Sequence, residues 1–401
     1  MILRERILEQ LAAKKTSLLA FDDEFQHEAE AYADALRQLS QLSLTELEAK
    51  LNTHESSGAL PTPEFAAAPQ LHMDFAPQFN HHADARAWAS EILLGHTTVA
   101  ADGSQILPNN ELSIPVAAVQ VAWFSNAHTR AGSYVKDLAF EILPPEDLLI
   151  ELRGERQFSE QAVSFHRFRL EVETLCAQMR ALAADAAQME KLPLFFFDSS
   201  IVISFAEQLH EELGRKYINA VLELLRCSEQ TRVPLVGYVD SSHARDLAKL
   251  LSVCFNLREA ERVHDAQLLS ARLNWGARSP FFICARGSSR GNQQSVLDGF
   301  AEYRRGVGFV YLKTNASAPP ARLEIPRWVY EQGLLDEVVD LVRAEVIVGN
   351  GYPYALETAD AAAVLSGRDR EAFYVIFQRF AEEQGIKLRV SPKAASKARR
   401  R

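Results

Sequence analysis

The chain has 401 residues, of which 47% are hydrophobic and 24% are charged, and its formal net charge is −10. This composition is typical of a globular protein, and it excludes both a disordered chain and a protein coated in basic charge. No run of about 18 uncharged apolar residues is present, so we expect no transmembrane helix. Charges lie among the apolar residues of the N-terminus, which argues against a secretory signal.

Four scattered cysteines indicate a reducing environment. They lie in apolar runs, at Cys176, Cys227, Cys254 and Cys284, and form no C-x-x-C pair. This spacing argues against a zinc site and against a disulfide framework. We therefore expect a cytoplasmic protein.

The first 85 residues are predicted to be a helical region followed by a linker. Residues 1 to about 52 show helical apolar spacing, and Ser43 and Glu46 form a capping-box pattern. Residues 53–84 contain several prolines and read as a loop. No helix or turn spacing organises the histidines and the aspartate of this loop as metal ligands; they are His72, Asp74, His81 and His82.

The main domain is predicted to span residues 86–388. Its first elements are three strands at 97–102, 114–124 and 133–143, followed by a helix at 160–189. A strand at 193–198, a helix at 205–227, a strand at 234–240 and a helix at 243–253 come next. The first strands are expected to be antiparallel, and the later ones are apolar throughout, as in a parallel portion buried on both faces. Further strands at 281–285, 308–314 and 321–326 precede helices at 328–346 and 369–384. Residues 389–401 read as a basic, disordered tail, because residues 387–401 contain seven Lys or Arg and no acid.

Three acidic residues in this order suggest a metal site. Asp102 ends the first strand and Asp198 the fourth, and ligands of open α/β sheets bind at the carboxyl ends of strands. Either aspartate alone could instead cap the turn that follows it. Glu171 lies at the edge of the apolar stripe of the intervening helix, whereas Glu173 points further into solvent.

Oxygen ligands of this kind suit Mg²⁺ or Mn²⁺ rather than zinc, and pairs of such ions support phosphodiester hydrolysis. The order of strands and acids is that of ribonuclease H-like nucleases. We therefore predict an α/β fold, with a ribonuclease H-like mixed sheet flanked by helices and an N-terminal helical extension.

The sequence resembles the NurA family, whose members are ribonuclease H-like DNA nucleases paired with HerA-type hexameric ATPases. The matching segments lie between about residues 95 and 385 and are ADGS (101–104), HRFRLEVETL (166–175), FFFDSS (195–200), VGYVDSSHARDLAKLL (236–251), PRWV (326–329) and GYPYALETADAAAV (351–364). The last segment is the most specific. The resemblance implies a Mn²⁺- or Mg²⁺-dependent DNA nuclease, with 5′ to 3′ exonuclease and single-strand endonuclease action in DNA end resection and double-strand break repair.

The resemblance also implies roles for individual residues. Asp102 and Asp198 match the metal-binding aspartates of the family, and Glu171 matches its helix glutamate, although Glu173 is close enough to leave this match open. Tyr352 matches the tyrosine of the Gly-Tyr-Pro turn, where it would position a phosphate or stack on a base. We expect two divalent ions in each site.

Two positions depart from the family pattern. Asp360 stands where many members have histidine, and we expect it to ligate the same ions. It and Glu171 are alternatives for the third ligand beside the two aspartates. Asp240 stands where some relatives have lysine, and it either adds charge to the site or caps the helix that begins near His243.

The expected partners are DNA, a HerA-type hexameric ATPase and a second copy of the chain, and we expect no membrane association. Arg290 lies in a polar loop, GSSRGNQQS, and Arg286 immediately precedes it; both are candidates for phosphate contact. This loop matches G-x-S-x-G, but no histidine follows it, which argues against a serine hydrolase. The alternative function is a domain of the same fold that lacks catalysis and serves as a DNA-binding or ATPase-docking adaptor.

Overall fold

The computed structural model describes residues 3–54, 56–109, 111–152, 155–185, 189–287 and 295–389 of the chain. The helices are α1 (Arg4–Ala13), α2 (Lys15–Leu39), α3 (Leu44–Leu51), α4 (Glu64–Ala67), α5 (His82–Leu93), α6 (Glu160–Ala183), α7 (Glu211–Thr231), α8 (Asp246–Phe255), α9 (Asp265–Ser270), α10 (Arg327–Glu331), α11 (Leu335–Val348), α12 (Tyr354–Ala363) and α13 (Gly367–Glu383). The strands are β1 (Gly58–Pro61), β2 (Thr98–Ile106), β3 (Ala117–Asn126), β4 (Tyr134–Leu143), β5 (Leu149–Leu152), β6 (Glu155–Phe158), β7 (Leu194–Phe197), β8 (Leu235–Val239), β9 (Phe282–Ala285), β10 (Val307–Leu312) and β11 (Ala321–Pro326). No helix within the described ranges is long and apolar enough to span a membrane.

The chain divides into two compact units. Unit 1 consists of Met1–Pro77, Val239–Gly287 and Gly308–Leu323, and unit 2 consists of Gln78–Tyr238, Ser288–Val307 and Glu324–Arg401. Most of the predicted N-terminal region therefore folds together with two later segments of the chain. Of the predicted basic tail, all but Arg389 lies outside the described residues.

Unit 2 contains a mixed sheet with the strand order β8-β7-β2-β3-β4. β3 pairs antiparallel with β2 and with β4, whereas β7 pairs parallel with β2 and with β8. This is the ribonuclease H-like order, so the predicted fold class is confirmed. All four residues of β7 are buried, as expected for a central parallel strand between layers of helices.

The two neighbours of β2 pair with it over different lengths. The parallel ladder with β7 extends only from Thr98 to Ala101, whereas the antiparallel ladder with β3 continues to Ile106. The prediction that this strand ends at Asp102 is wrong, because pairing with β3 prolongs it. Asp102 therefore lies where the parallel pairing stops.

Two helices pack directly on β2 and β3. One is α6, which begins after Ser159, whose hydroxyl accepts a hydrogen bond from the backbone N–H of Gln161. The other is α12, which follows a tight turn in which Gly351 has a φ of +121°, a conformation that favours glycine. A Cβ on Gly349 would lie 2.0 Å from the carbonyl oxygen of Tyr352. These glycines therefore allow the turn that leads into α12.

Unit 1 gives regular structure to part of the predicted linker, residues 53–84. β1 pairs antiparallel with β9, and Glu64 of α4 accepts two hydrogen bonds from the buried guanidinium of Arg278, at 2.8 and 2.7 Å. The predicted capping box of Ser43 and Glu46 is present at the start of α3. The expectation of a loop is thus wrong for β1 and α4, since their partners lie far away in the sequence.

Two predicted helices have different bounds. The helix predicted at 328–346 is divided into α10 and α11, because Gly333 adopts a φ of +70° after α10. The helix predicted at 243–253 begins at Asp246, and Arg245 occupies its N-cap without a side-chain hydrogen bond. Asp240 lies in the turn after β8, so its interpretation as the cap of this helix is wrong.

Asp246 is the centre of a buried ion network in unit 1. Its carboxylate accepts hydrogen bonds from Arg286 at 2.6 and 2.7 Å, and Arg322 approaches it to 2.8 Å. Burial by itself raises the pKa of Asp246, but the two arginines outweigh burial and hold that pKa below its ordinary value. Asp246 is therefore the acidic group that contacts both guanidinium groups, and Asp265 lies 4.0 Å from Arg322 as a more distant second carboxylate.

Asp246→Asn should lower the free energy of unfolding by about 3–5 kcal/mol, because it leaves two arginines beside a neutral side chain. Urea unfolding followed by circular dichroism measures this loss. Glu211→Gln, which removes the exposed ion pair with Arg215, is the control and should change stability little. An Asp246→Asn protein as stable as the wild type would contradict this account of the network.

Candidate metal centre

The register of the unit 2 sheet makes neighbours of two aspartates. Ala101 of β2 pairs with Phe197 of β7, so the residues that follow on the two strands, Asp102 and Asp198, lie side by side. Both follow the carboxyl end of the parallel ladder, where ligand sites form in α/β sheets. Two separate predictions from the sequence thus meet at one place.

Glu171 reaches this place from α6. It is 7% exposed, and both aspartates are close enough to raise its pKa. A Cβ on Gly103 would lie 2.5 Å from Glu171 Oε1, so the glycine of the ADGS segment leaves room for this carboxylate. Glu173 is exposed and hydrogen-bonds to Arg169 at 3.0 Å. The structure therefore places Glu171, not Glu173, beside the aspartates.

The segment that begins with Tyr352 supplies two more groups. The Asp360 carboxyl, on α12, lies near that of Asp102 and, after burial, is among the groups that raise the pKa of Asp102. The Tyr352 hydroxyl donates to Asp198 Oδ1 at 2.7 Å, and its ring packs edge-to-face on Tyr238 with centroids 5.1 Å apart. Tyr352 thus holds a candidate ligand, and its predicted contact with substrate stays a prediction.

The carboxylates are short of positive charge. Burial raises the pKa of Asp102 to about 6, and Asp198 and Asp360 add to the increase. Burial also raises the pKa of Glu171 to about 7, although Arg167 opposes the change. The pKa of Asp198 is raised by burial and by Asp360, against the hydrogen bond from Tyr352. An added cation would relieve each of these unfavourable interactions.

The chemistry of these donors fits Mg²⁺ or Mn²⁺, since every member of the group offers carboxylate oxygen. Gly103 adds to the fit, because it leaves open the space in which Glu171 approaches the strand. Within the described ranges, no three His, Cys, Asp or Glu side chains are arranged to hold one ion.

Arg167 is a member of the site that the sequence reasoning missed. Its Nη1 lies 2.5 Å from Glu171 Oε1 and 3.3 Å from the carbonyl oxygen of Gly103. The arginine stands one helical turn before the glutamate, and this spacing favours an ion pair. That spacing was the available signal, and Arg167 provides part of the positive charge that the carboxylates need.

Glu345 is a second missed residue, and it fixes α12 in place. This buried glutamate of α11 accepts hydrogen bonds from the hydroxyl of Thr98 at 2.7 Å and from the N–H of Ala355 at 2.9 Å. His128 Nε2 lies 3.2 Å from the same carboxylate. Glu345 therefore joins the first turn of α12 to the start of β2. The signal in the sequence was an acid within the apolar run of residues 344–348.

The remaining predicted residues are not part of this group. Arg286 belongs to unit 1, where it pairs with Asp246, and Arg290 lies outside the described residues. Their predicted contact with nucleic acid stays a prediction. Two of the histidines of residues 53–84 have separate acidic partners: His72 lies 2.8 Å from Asp74 and His81 lies 2.8 Å from Asp84.

Comparison with known proteins relates the chain to one family. The model of the NurA domain matches residues 96–365, more than half of the chain. No curated protein is significantly similar to it. A solved NurA structure with manganese has 11% identity, covers 92% of this chain and 96% of its own, and has a TM-score of 0.41. NurA bound to dAMP and manganese has 10% identity, coverages of 68% and 85%, and a TM-score of 0.40. Because these sequence identities and TM-scores are low, the assignment of the chain to the family rests on the match to the NurA domain.

In the presence of a chelator, the carboxylates should make stability fall as pH rises. The pKa values of Asp102 and Glu171 are 3.8 and 4.5 in an unfolded chain and about 6 and about 7 in the folded protein, so folding favours their protonated forms between these values. Asp102→Asn should therefore unfold at a higher temperature than wild type near neutral pH, and the difference should vanish near pH 4.

Thermal unfolding across this pH range tests the prediction. Asp137→Asn, which removes an exposed carboxylate of β4, is the matched control and should follow the wild-type protein. A lower unfolding temperature for Asp102→Asn near neutral pH would contradict the assigned repulsion.

Proposed function

The chain belongs to the NurA family, and we propose that it is a divalent-metal-dependent DNA nuclease. The observation that supports the proposal is the group formed by Asp102, Glu171, Asp198 and Asp360, in which three carboxyl groups have raised pKa values. Crowded and partly buried carboxylates destabilise a fold unless a cation compensates them. Catalysis that uses such a cation would account for the presence of these carboxylates in the fold.

Asp102 and Asp198, with Glu171 or Asp360, would hold two ions of Mn²⁺ or Mg²⁺. When bound, such ions activate water and stabilise the charge that develops on the scissile phosphate. The chain's own contribution is orientation. Tyr352 restrains the Asp198 carboxylate through Oδ1, and Arg167 restrains Glu171 through Oε1.

The finer activities follow from the family resemblance. They are 5′ to 3′ exonuclease and single-strand endonuclease action on DNA, in end resection and double-strand break repair. The proposed partner is a HerA-type hexameric ATPase, and the proposed location is the cytoplasm. Nuclease assays with and without such an ATPase would separate the intrinsic activity from the activity of the complex.

We also propose a homodimer, and an apolar surface of unit 2 supports an interface. β4 is the edge strand of the sheet in the described part of unit 2, and it exposes Tyr134, Val135, Leu138, Phe140 and Ile142. Together with α13, this strand lines an apolar cavity of about 870 Å³. Exposed apolar surfaces of this extent commonly mark interaction sites.

Substitution of the carboxylates tests the catalytic proposal. Asp102→Ala, Asp198→Ala and Glu171→Ala should each reduce Mn²⁺-dependent cleavage of DNA by on the order of 10²–10³-fold or more, because each removes stabilisation of transition-state charge. Glu173→Ala is the matched control, since Glu173 is two residues from Glu171 but exposed, and it should cleave like wild type.

Circular dichroism and thermal unfolding would establish that these variants are folded. Cleavage that survives both aspartate substitutions would contradict the metal-site assignment. If the wild-type protein cuts neither single-stranded DNA nor duplex ends with Mn²⁺, with or without the ATPase, the adaptor function replaces the nuclease.

Gly103→Ala should leave the fold intact and reduce cleavage by on the order of 10²-fold, the typical cost of a small misplacement of catalytic groups. The new Cβ would lie 2.5 Å from Glu171 Oε1 and 2.8 Å from Arg167 Cγ, so both side chains must move. Gly367→Ala, where a Cβ meets nothing within 4 Å, is the control. Steady-state cleavage rates measure the effect, and full activity of Gly103→Ala would refute the need for this space.

A further inference from the structure

Two buried cysteines face each other between helices α6 and α7 of unit 2, which pack together. Cys176 of α6 and Cys227 of α7 are each 1% exposed. The Cys227 thiol donates a hydrogen bond to the carbonyl oxygen of Cys176 at 3.5 Å, and the Cys176 thiol lies 4.0 Å from the carbonyl oxygen of Glu223. Both thiols are therefore directed into the same narrow space between the two helices.

An ion pair one helical turn away shows which residues of α6 and α7 lie opposite each other. Arg180 of α6 donates a hydrogen bond to the Glu223 carboxylate of α7. Arg180 follows Cys176 by one turn, and Glu223 precedes Cys227 by one turn, so the helices are antiparallel and the cysteines occupy facing positions. Both members of the ion pair are more than half exposed. Because an exposed ion pair contributes little to stability, it opens readily and admits a small oxidant to the thiols.

The two thiols affect each other's protonation unequally. Cys176 lowers the pKa of the Cys227 thiol, against burial, which raises that pKa. In contrast, both Cys227 and burial raise the pKa of the Cys176 thiol. Oxidation to a disulfide begins when a thiolate attacks the oxidant, and it ends when a second thiol displaces the oxygen. Cys227 is thus suited to the first step and Cys176 to the second.

We propose that Cys176 and Cys227 form a reversible disulfide on exposure to a hydroperoxide, and that this bond displaces Glu171 from the carboxylates of the candidate metal centre. With hydrogen peroxide, the Cys227 thiolate attacks one oxygen and becomes a sulfenic acid, and the other oxygen leaves as hydroxide, which takes up the proton lost by Cys227. The Cys176 thiol then forms the S–S bond and releases the sulfenic oxygen as a second water. Hydrogen peroxide thereby accepts two electrons and two thiol protons and yields two waters.

The connection to the metal centre runs through α6. This helix carries Glu171 five residues before Cys176. A disulfide brings its sulfurs to about 2.05 Å, closer than any non-bonded contact, so the bond draws α6 towards α7. Glu171 lies in a confined space, since a Cβ on Gly103 would lie 2.5 Å from its Oε1. A small shift of α6 therefore changes the position of Glu171 beside β2. The effect on cleavage rests on the proposed nuclease function, whereas the disulfide does not.

Peptide mapping after oxidation tests the bond. Full-length protein in a chelator is treated with hydrogen peroxide, the remaining thiols are alkylated, and an unreduced digest is analysed by mass spectrometry. Wild-type protein should yield two peptides joined through Cys176 and Cys227, and dithiothreitol should separate them. After removal of the peroxide and addition of Mn²⁺, the oxidised protein should cleave DNA on the order of 10²-fold more slowly than the reduced protein, the typical cost of a misplaced catalytic group. Dithiothreitol should restore the rate.

Three variants make the test specific. Cys176→Ala and Cys227→Ala should give no joined peptides, and peroxide should leave their cleavage rates unchanged. Cys254→Ala removes a buried cysteine of α8 in unit 1. It is the matched control, which should form the bond and lose activity on oxidation like the wild-type protein. Circular dichroism would establish that the variants are folded.

The outcomes separate the disulfide, its effect on Glu171 and the nuclease proposal. If peroxide gives only sulfinic acid or unmodified thiols at Cys176 and Cys227, with no joined peptides, the whole inference is wrong. If the disulfide is mapped but the oxidised protein cleaves DNA as fast as the reduced protein, the displacement of Glu171 is wrong. If reduced wild-type protein cleaves no DNA with Mn²⁺, the nuclease proposal fails, while joined peptides would still support the disulfide.

Discussion

The parallel pairing of β2 with β7 is the constraint on which the candidate site depends. Its register sets Asp102 beside Asp198, and the end of the ladder leaves both carboxylates directed to one place. Glu171 and Asp360 then arrive from two helices that pack on β2. The fold thus holds acidic groups together in a partly buried place, where burial first and neighbouring acids second raise the pKa values of three of them. Packing elsewhere in unit 2 supplies the stability that keeps this arrangement in place.

Two of the carboxylates are each restrained by a hydrogen bond from a neighbouring side chain, and this helps to give the site its geometry. Tyr352 bonds to Asp198, Arg167 bonds to Glu171, and Gly103 provides the space in which Glu171 lies. One step further away, Glu345 fixes the helix that carries Asp360 by bonding to the N–H of Ala355 and to Thr98. Hydrogen bonds of this kind reduce the reorganisation that a reaction would otherwise require. The site is therefore supported by contacts well beyond the residues that would meet an ion.

The two units solve the problem of buried charge in different ways. In unit 1, the carboxylate of Asp246 lies between two arginines, which hold its pKa below the ordinary value. In unit 2, a single arginine reaches Glu171, and the group as a whole remains short of positive charge. Compensated charge is typical of a structural network, whereas uncompensated charge beside a cavity is typical of a functional site.

The sequence by itself determined the order of strands and helices, the mixed α/β fold and the family, because periodicity and strand-end acids are local patterns. It also supplied Asp102, Asp198 and Asp360 as candidates. Only the tertiary structure chose Glu171 over Glu173, continued β2 past Asp102 and formed β1 within a proline-containing segment. It alone revealed Glu345. Each of these outcomes depends on a partner far away in the chain: a strand that pairs, a glycine that leaves space, or a backbone N–H that needs an acceptor. Desolvation of the carboxylates and repulsion between them depend on the distances in space between residues that are far apart in the sequence, and no local pattern contains those distances.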